Sequence, residues 1–387
     1  GRMNELNPLV FLAGLFLGIV SGIFPGLHSN TIISLLNSFD IQPEQLALII
    51  IAMYPAHLIV SVIPSIFFGV PEEGTVLLVL PGHRMVLQGK GVAALKTVLA
   101  SAIIAALIVT AVFFISGDVY KIIYGIIRQY LGYIVAIFAV VLILRTRNPL
   151  FSLFVFGCAG MLGYSALKSE MPDPFLPLFS GMFAAGAILT YKKCKIPKQT
   201  ESKVENGFLK YTFLGVFAGM LADLLPGISS PSQVAAFMSI LIPLNTLGYM
   251  ASVSAIGISE AIFSLSTAAS IGKARIGATV WLSELVDVKS DLSILVILFL
   301  ISLCISCLLV FLLRDKIAKL AELDFSKFNI ILLFYLLVLS FIINGFFGLG
   351  VFLVGGGLGW LTIKLGVERT NLMGAVIVPV LLFYVGF

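Results

Sequence analysis

The sequence predicts an all-α integral membrane protein made of two inverted-topology repeats, with about 10 transmembrane helices and two broken or re-entrant helical segments. Three observations predict it: an overwhelmingly apolar composition, a motif that recurs half a chain later, and the placement of Lys and Arg between apolar runs. Of the 387 residues, 59% are hydrophobic and 11% charged, with a mean hydropathy of +1.11. A soluble chain carries about 25% charged residues. So much apolar surface cannot be hidden inside a globule, and lipid must solvate the rest. The net charge of +5 is spread in small clusters, which reads as membrane topology and excludes a nucleic-acid footprint.

The recurrence defines the halves. GLFLGIVSGIFPGLHS at 14–29 returns as GVFAGMLADLLPGISS at 215–230, so Gly14, Gly18, Pro25, Gly26 and Ser29 meet Gly215, Gly219, Pro226, Gly227 and Ser230 at an offset of 201. GVPEEGT at 69–75 then lies over GKARIGA at 272–278, an offset of 203, and GYSALK at 163–168 over GWLTIK at 359–364. Three ordered matches imply duplication. The expected division is residues 1–191 as first repeat, 192–210 as a cytoplasmic linker and 211–387 as second repeat. The apolar run from Leu9 to Phe24 is expected to belong to the mature fold, because it recurs near residue 213.

Spanning runs in the first half fall near 46–68, 95–116, 130–144, 149–166 and 174–191. Each half also opens with an apolar segment interrupted at Pro-Gly. If that segment turns back, a half crosses five times and its partner is inverted; if it crosses, the halves are parallel. Placing the Lys-rich linker inside, the inverted arrangement puts 17 of 23 Lys and Arg on the cytoplasmic side, against 14 in the parallel one, leaving out Arg2 ahead of Met3. Both termini are then expected outside.

The interruptions carry the functional reading. Proline removes a backbone donor and glycine permits a sharp turn, and in hydrocarbon the freed groups survive only beside protein or water. Small polar residues follow each break: His28, Ser29, Asn30 and Thr31, then Ser229, Ser230 and Ser232. A helix restarting there presents unpaired N–H groups to an anion. The expected substrate site is therefore Gly26, His28, Ser29, Asn30 and Thr31 with Gly227, Ser229, Ser230 and Ser232. The competing reading is a plain proline kink with hydroxyls bonded back to the helix. The same kink at matching positions in both halves argues against it. Glycines at every fourth position ahead of the breaks suit close helix packing.

Ionisable groups at membrane depth mark pathways. His57 and Glu260 are equivalent under the 203 offset, and Asp223 precedes Pro226 by three residues. These three are the expected coupling-ion residues, for Na+ or H+; the bland alternative is a hydrogen bond to a neighbouring helix. Arg84 is either an anion contact or an anchor at the inner face. No HExxH, GxSxG, Walker or Rossmann pattern is present, so the chain is not expected to be an enzyme. Cys304 and Cys307 form a CxxC inside an apolar run, where small apolar helix residues are the simpler reading.

GIVSGIFPGLHSNTIISLL together with GMLADLLPGISSPSQ resembles the TctA permeases of tripartite tricarboxylate transporters, in particular their shorter archaeal branch, over essentially the whole chain. That resemblance implies a large permease carrying citrate-like anions on a cation gradient, beside a small membrane subunit and a solute-binding protein. Ser29-Asn30-Thr31 is also similar to the hairpin tips of divalent-anion/sodium symporters. The paired Pro-Gly-plus-serine motifs resemble polyprenyl-phosphate translocases with PGxSG motifs. The function expected is cation-coupled secondary transport of a di- or tricarboxylate-like anion by alternating access. A lipid-linked phosphate flippase is the alternative, and an intramembrane hydrolase a third reading. No cofactor beyond a coupling ion is expected. Expected partners are membrane lipid and a small organic anion or lipid phosphate. A homodimer, the small subunit and the binding protein are left open. The expected location is the cell membrane, as a multi-pass protein.

Overall fold

A computed structural model describes residues 6–24, 29–37, 39–69, 79–190, 196–224, 231, 234–235, 238, 242, 244–274, 276–322 and 326–386; the side chains of 31, 34, 79, 80, 114 and 326–328 also lie outside the description. Regular secondary structure among the described residues is entirely helical. Seven stretches are long and apolar enough to cross a membrane, and four shorter apolar helices accompany them. The protein is an all-α membrane protein.

Local chemistry sets the first helices. Helix α1 (Pro8–Ile23) starts with Pro8 at its first position, and the Asn7 side chain accepts the Leu9 N–H at 2.9 Å. It stops at Phe24, whose backbone is extended (φ −93, ψ 104). Phe24 precedes Pro25, and the proline ring disfavours helical geometry in the residue before it. Helix α2 (Ser29–Leu36) follows, then α3 (Pro43–Val60) and α4 (Val62–Phe67). The short α5 (Val79–Leu87) leads to α6 (Gly91–Ile127), α7 (Leu131–Leu144) and α8 (Pro149–Leu167). The first half closes with α9 (Phe175–Phe179), a π-helical turn at Ser180–Ala185 and α10 (Gly186–Thr190).

The second half runs α11 (Phe208–Ala222), α12 (Thr246–Ile271), α13 (Gly277–Leu285), α14 (Leu292–Ala321), α15 (Ser326–Lys364) and α16 (Gly374–Val385). Asn245 caps α12 by accepting the Gly248 N–H at 2.7 Å, and Gly272 ends it in the left-handed region at φ 70. Gly69, after α4, adopts the same geometry at φ 65. Helix α15 is broken at Gly345 (φ 65, ψ −158). There the Ser340 carbonyl lies 3.0 Å from where a Gly348 Cβ would stand, although eight residues of continuous helix span about 12 Å. The chain therefore turns back, making α15 a helical hairpin.

Glycines reveal the helix directions. Gly14 faces Ile49 and Ala52 of α3, and Gly18 faces Met53 and Ala56. Gly215 faces Ser252 and Ala255 of α12, and Gly219 faces Ile256 and Ser259. Adding 203 to each α3 partner gives its α12 counterpart. In both pairs the residue numbers rise together, so α1 runs parallel to α3 and α11 parallel to α12. The chain between each pair must come back to the starting side. Gly91, at the start of α6, lies against Phe67 at the end of α4, so α6 runs back antiparallel to α3. Helix α12 runs with α6: Ser254 donates to the Val98 carbonyl at 2.7 Å, and the Ser116 and Ser266 hydroxyls meet at 2.8 Å. Helices α3 and α12, matched in sequence, therefore point in opposite directions.

The halves interlock. Besides α6 on α12, Gly163 of α8 contacts the Ala375 backbone of α16, and Gly359 of α15 contacts the Met182 backbone in the π-helical turn. One contiguous apolar core spans both halves. Large apolar side chains also face outward, Leu150 and Phe346 each 81% exposed, as a lipid-facing surface requires.

The segment after α10 crosses between the halves. Gln199 accepts the Gly91 N–H at 2.9 Å, capping α6, donates to the Val86 carbonyl at 2.9 Å, and its own N–H donates to Glu322 at 2.8 Å. Glu201 pairs with Lys96 of α6 and, at 3.7 Å, with Arg314 of α14. Gln199→Ala is expected to cost about 1 kcal/mol, the cost of a lost cap. Glu201→Gln, on a half-exposed pair, should cost less than about 1 kcal/mol and nothing at high salt. Thermal unfolding of the two variants at low and high salt checks the ranking.

Candidate transport site

In sequence the two breaks follow α1 and α11 directly. Pro25–His28 and Leu225–Ser230 fall outside the described residues, so Gly26, His28, Gly227, Ser229 and Ser230 have no described position; neither has Ser232, nor the Thr31 side chain. What flanks them is defined. Ser29 opens α2 and is 6% exposed. Asn30, more exposed, has its amide pressed against Gly277, the first residue of α13. The tip of the first broken segment therefore reaches the start of a second-half helix. In the second half, Pro231 packs beside Gly257 of α12.

The charged residues separate into two settings. His57 on α3 is 7% exposed, and its Nδ1 lies 2.9 Å from the Ser21 hydroxyl of α1. Ser21 can also donate to the Gly18 carbonyl at 3.0 Å, and the roles in the His57 pair follow the imidazole tautomer. In the second half Asp223 closes α11, and its Oδ2 accepts the Thr267 hydroxyl of α12 at 2.6 Å. Each half thus ties its first helix to the parallel helix beside it through a buried polar bond. The first half uses an imidazole, the second a carboxylate. Asp223 and Glu260 are each 1% exposed.

The structure brings Asp223 and Glu260 into one neighbourhood around Tyr120. Tyr120 on α6 is 1% exposed, stands edge-on to Phe263 (centroids 5.8 Å, 76°), and lies within electrostatic reach of both carboxylates. Arg84 is exposed on α5. Its neighbour His83 packs over Gly69, with Nδ1 3.4 Å from the Ile66 carbonyl. Burial lowers the His83 pKa, partly offset by that bond.

Sequence reasoning missed Tyr120, Ser21 and Thr267. Tyr120 lies in GDVYK between Asp118 and Lys121, whose side chains are 85% and 58% exposed, so the stretch reads as an outer loop. The usable signal was helical phase: Ser116 and Tyr120 are four apart on a face distinct from both charges.

Residues 9–374 match a family described as the tripartite tricarboxylate transporter TctA family. The chain belongs to that family. It is accordingly a multi-pass membrane protein of a transporter family. The family is the large component of a tripartite system. The chain is also 26% identical to an uncharacterized protein of Methanocaldococcus jannaschii, over 98% of this chain and 99% of that protein. No solved structure matches.

Proposed function

We propose that this TctA-family protein is a secondary transporter of an organic anion of the di- or tricarboxylate kind. The anion binds between the two broken segments, a cation drives uptake, and the two repeats, 1–191 and 211–387 joined by 192–210, rock around the site. The observation that carries the reading is the matched pair of parallel packings, α1 on α3 and α11 on α12, set in opposite directions. Each forces the chain between its members to turn back, which supports a reading in which one Pro-Gly break per half lies at membrane depth. Ser29 and Asn30 then stand at the N-terminus of α2, where free N–H groups and the helix dipole favour an anion. His57, Asp223 and Glu260 are the proposed coupling-ion residues. The 196–206 side is taken as cytoplasmic and both termini as extracytoplasmic. A small membrane subunit and a solute-binding protein are the partners this reading implies. The lipid-phosphate and hydrolase readings gain no support from the family.

The test is uptake of labelled citrate and succinate by reconstituted protein. Ser29→Ala with Asn30→Ala should cut uptake about 10- to 100-fold, as expected for two or more lost polar contacts to an anion. Unchanged uptake in that variant contradicts the site assignment.

A further inference from the structure

We propose that Asp223, Ser264, Thr267 and Tyr120 form a sodium-ion site between the halves, with Glu260 supplying a second negative charge one turn along α12. This rests on the transporter reading above and names the ion its coupling uses.

Glu260, Ser264 and Thr267 are spaced four and three residues apart, which aligns them on one stripe of α12. They are 1%, 0% and 2% exposed. Asp223 joins the stripe at one end through its bond to Thr267. Tyr120 closes it from α6, its ring fixed by Phe263 and its hydroxyl in the field of both carboxylates. The Tyr120 and Ser264 hydroxyls, both buried, have no hydrogen-bond partner among the described residues. Buried hydroxyls are nearly always bonded, so two orphans on one carboxylate-bearing surface point to a ligand. Every donor atom is a hard oxygen, which suits an alkali or alkaline-earth ion rather than a soft metal. A calcium ion takes six to eight oxygens and magnesium keeps much of its water; four buried protein oxygens fit a monovalent ion better.

Tyr120 belongs to the first half and the other ligands to the second. The site is therefore complete only while α6 rests on α12. A ligand shifts an equilibrium by its differential affinity for the two states, so sodium would favour that arrangement and link ion binding to the rocking of the halves.

The experiment is thermal unfolding of the full-length protein in nanodiscs, titrated with sodium chloride against choline chloride at constant ionic strength. The wild type should gain stability with sodium and not with choline. Tyr120→Phe and Ser264→Ala each remove one oxygen and little packing, and should weaken sodium half-saturation about tenfold. Asp223→Asn should abolish the response. The melting temperature without sodium serves as the folding control for each variant. No sodium response in the wild type, or the same half-saturation in Tyr120→Phe, overturns the proposal. Citrate uptake that proceeds equally without sodium overturns this site while leaving the transporter reading intact. A sodium response with no organic anion transported would leave the site and remove the transporter reading.

Discussion

A valine at position 163 should leave little correctly assembled protein. Gly163 of α8 touches the Ala375 backbone of α16 so closely that no side chain fits between them, and backbone cannot move aside as a flexible side chain can. Overpacking of this kind costs about 3 kcal/mol, and here it acts on a contact that joins the two halves. The control lies on the same helix. Gly157 has nothing within 4 Å of its Cβ position, so Gly157→Ala should be neutral or slightly stabilising, because alanine is the better helix former by about 1 kcal/mol. Monodispersity in mild detergent and the melting temperature of the two variants check the contrast. Equal behaviour would mean that α8 and α16 do not pack as described.

Glu260→Gln should uncouple transport without unfolding the protein. Glutamine keeps the volume and the hydrogen-bonding capacity while removing the charge, and Glu260 is 1% exposed inside the core shared by both halves. Free energies that couple one ligand to another are typically worth about 5- to 150-fold, so gradient-driven accumulation of citrate should fall within that range. Exchange of labelled for unlabelled citrate, which needs no net ion movement, should persist. His57→Gln offers the comparison from the first half. His57 sits at the equivalent position and is bonded to Ser21, so its loss should weaken the contact of α1 with α3 and lower the melting temperature. Measuring accumulation, exchange and melting in parallel separates the two.

Much of this was legible in the sequence, and the exceptions have physical causes. The end of α1 at Phe24 follows from Pro25, and the small-residue spacing of Gly14, Gly18, Gly215 and Gly219 announced close helix packing. What the spacing cannot convey is direction. Whether a broken apolar segment crosses or returns depends on which helix its glycines meet, a long-range contact that charge counting approached only statistically. The hairpin at Gly345 was hidden differently: Asn344-Gly345 is a turn dipeptide, but it is embedded in uninterrupted apolar sequence with no charge to mark a membrane face. Tyr120 was obscured by its charged neighbours, since burial at one phase of a helix is invisible where adjacent residues are exposed. The polar residues after each Pro-Gly were read as anion contacts. Of these, Ser29 and Asn30 have described side chains, and the contact of Asn30 with Gly277 across the halves was not foreseen.

Matched helices run in opposite directions, so the start of α6 and the end of α12 face opposite sides of the membrane. Single cysteines in place of Lys90 and Lys273, in a protein otherwise free of cysteine, test it with a membrane-impermeant maleimide. Position 273 is expected to label in intact cells and position 90 only after the membrane is opened. Labelling of both positions from the same side would contradict it.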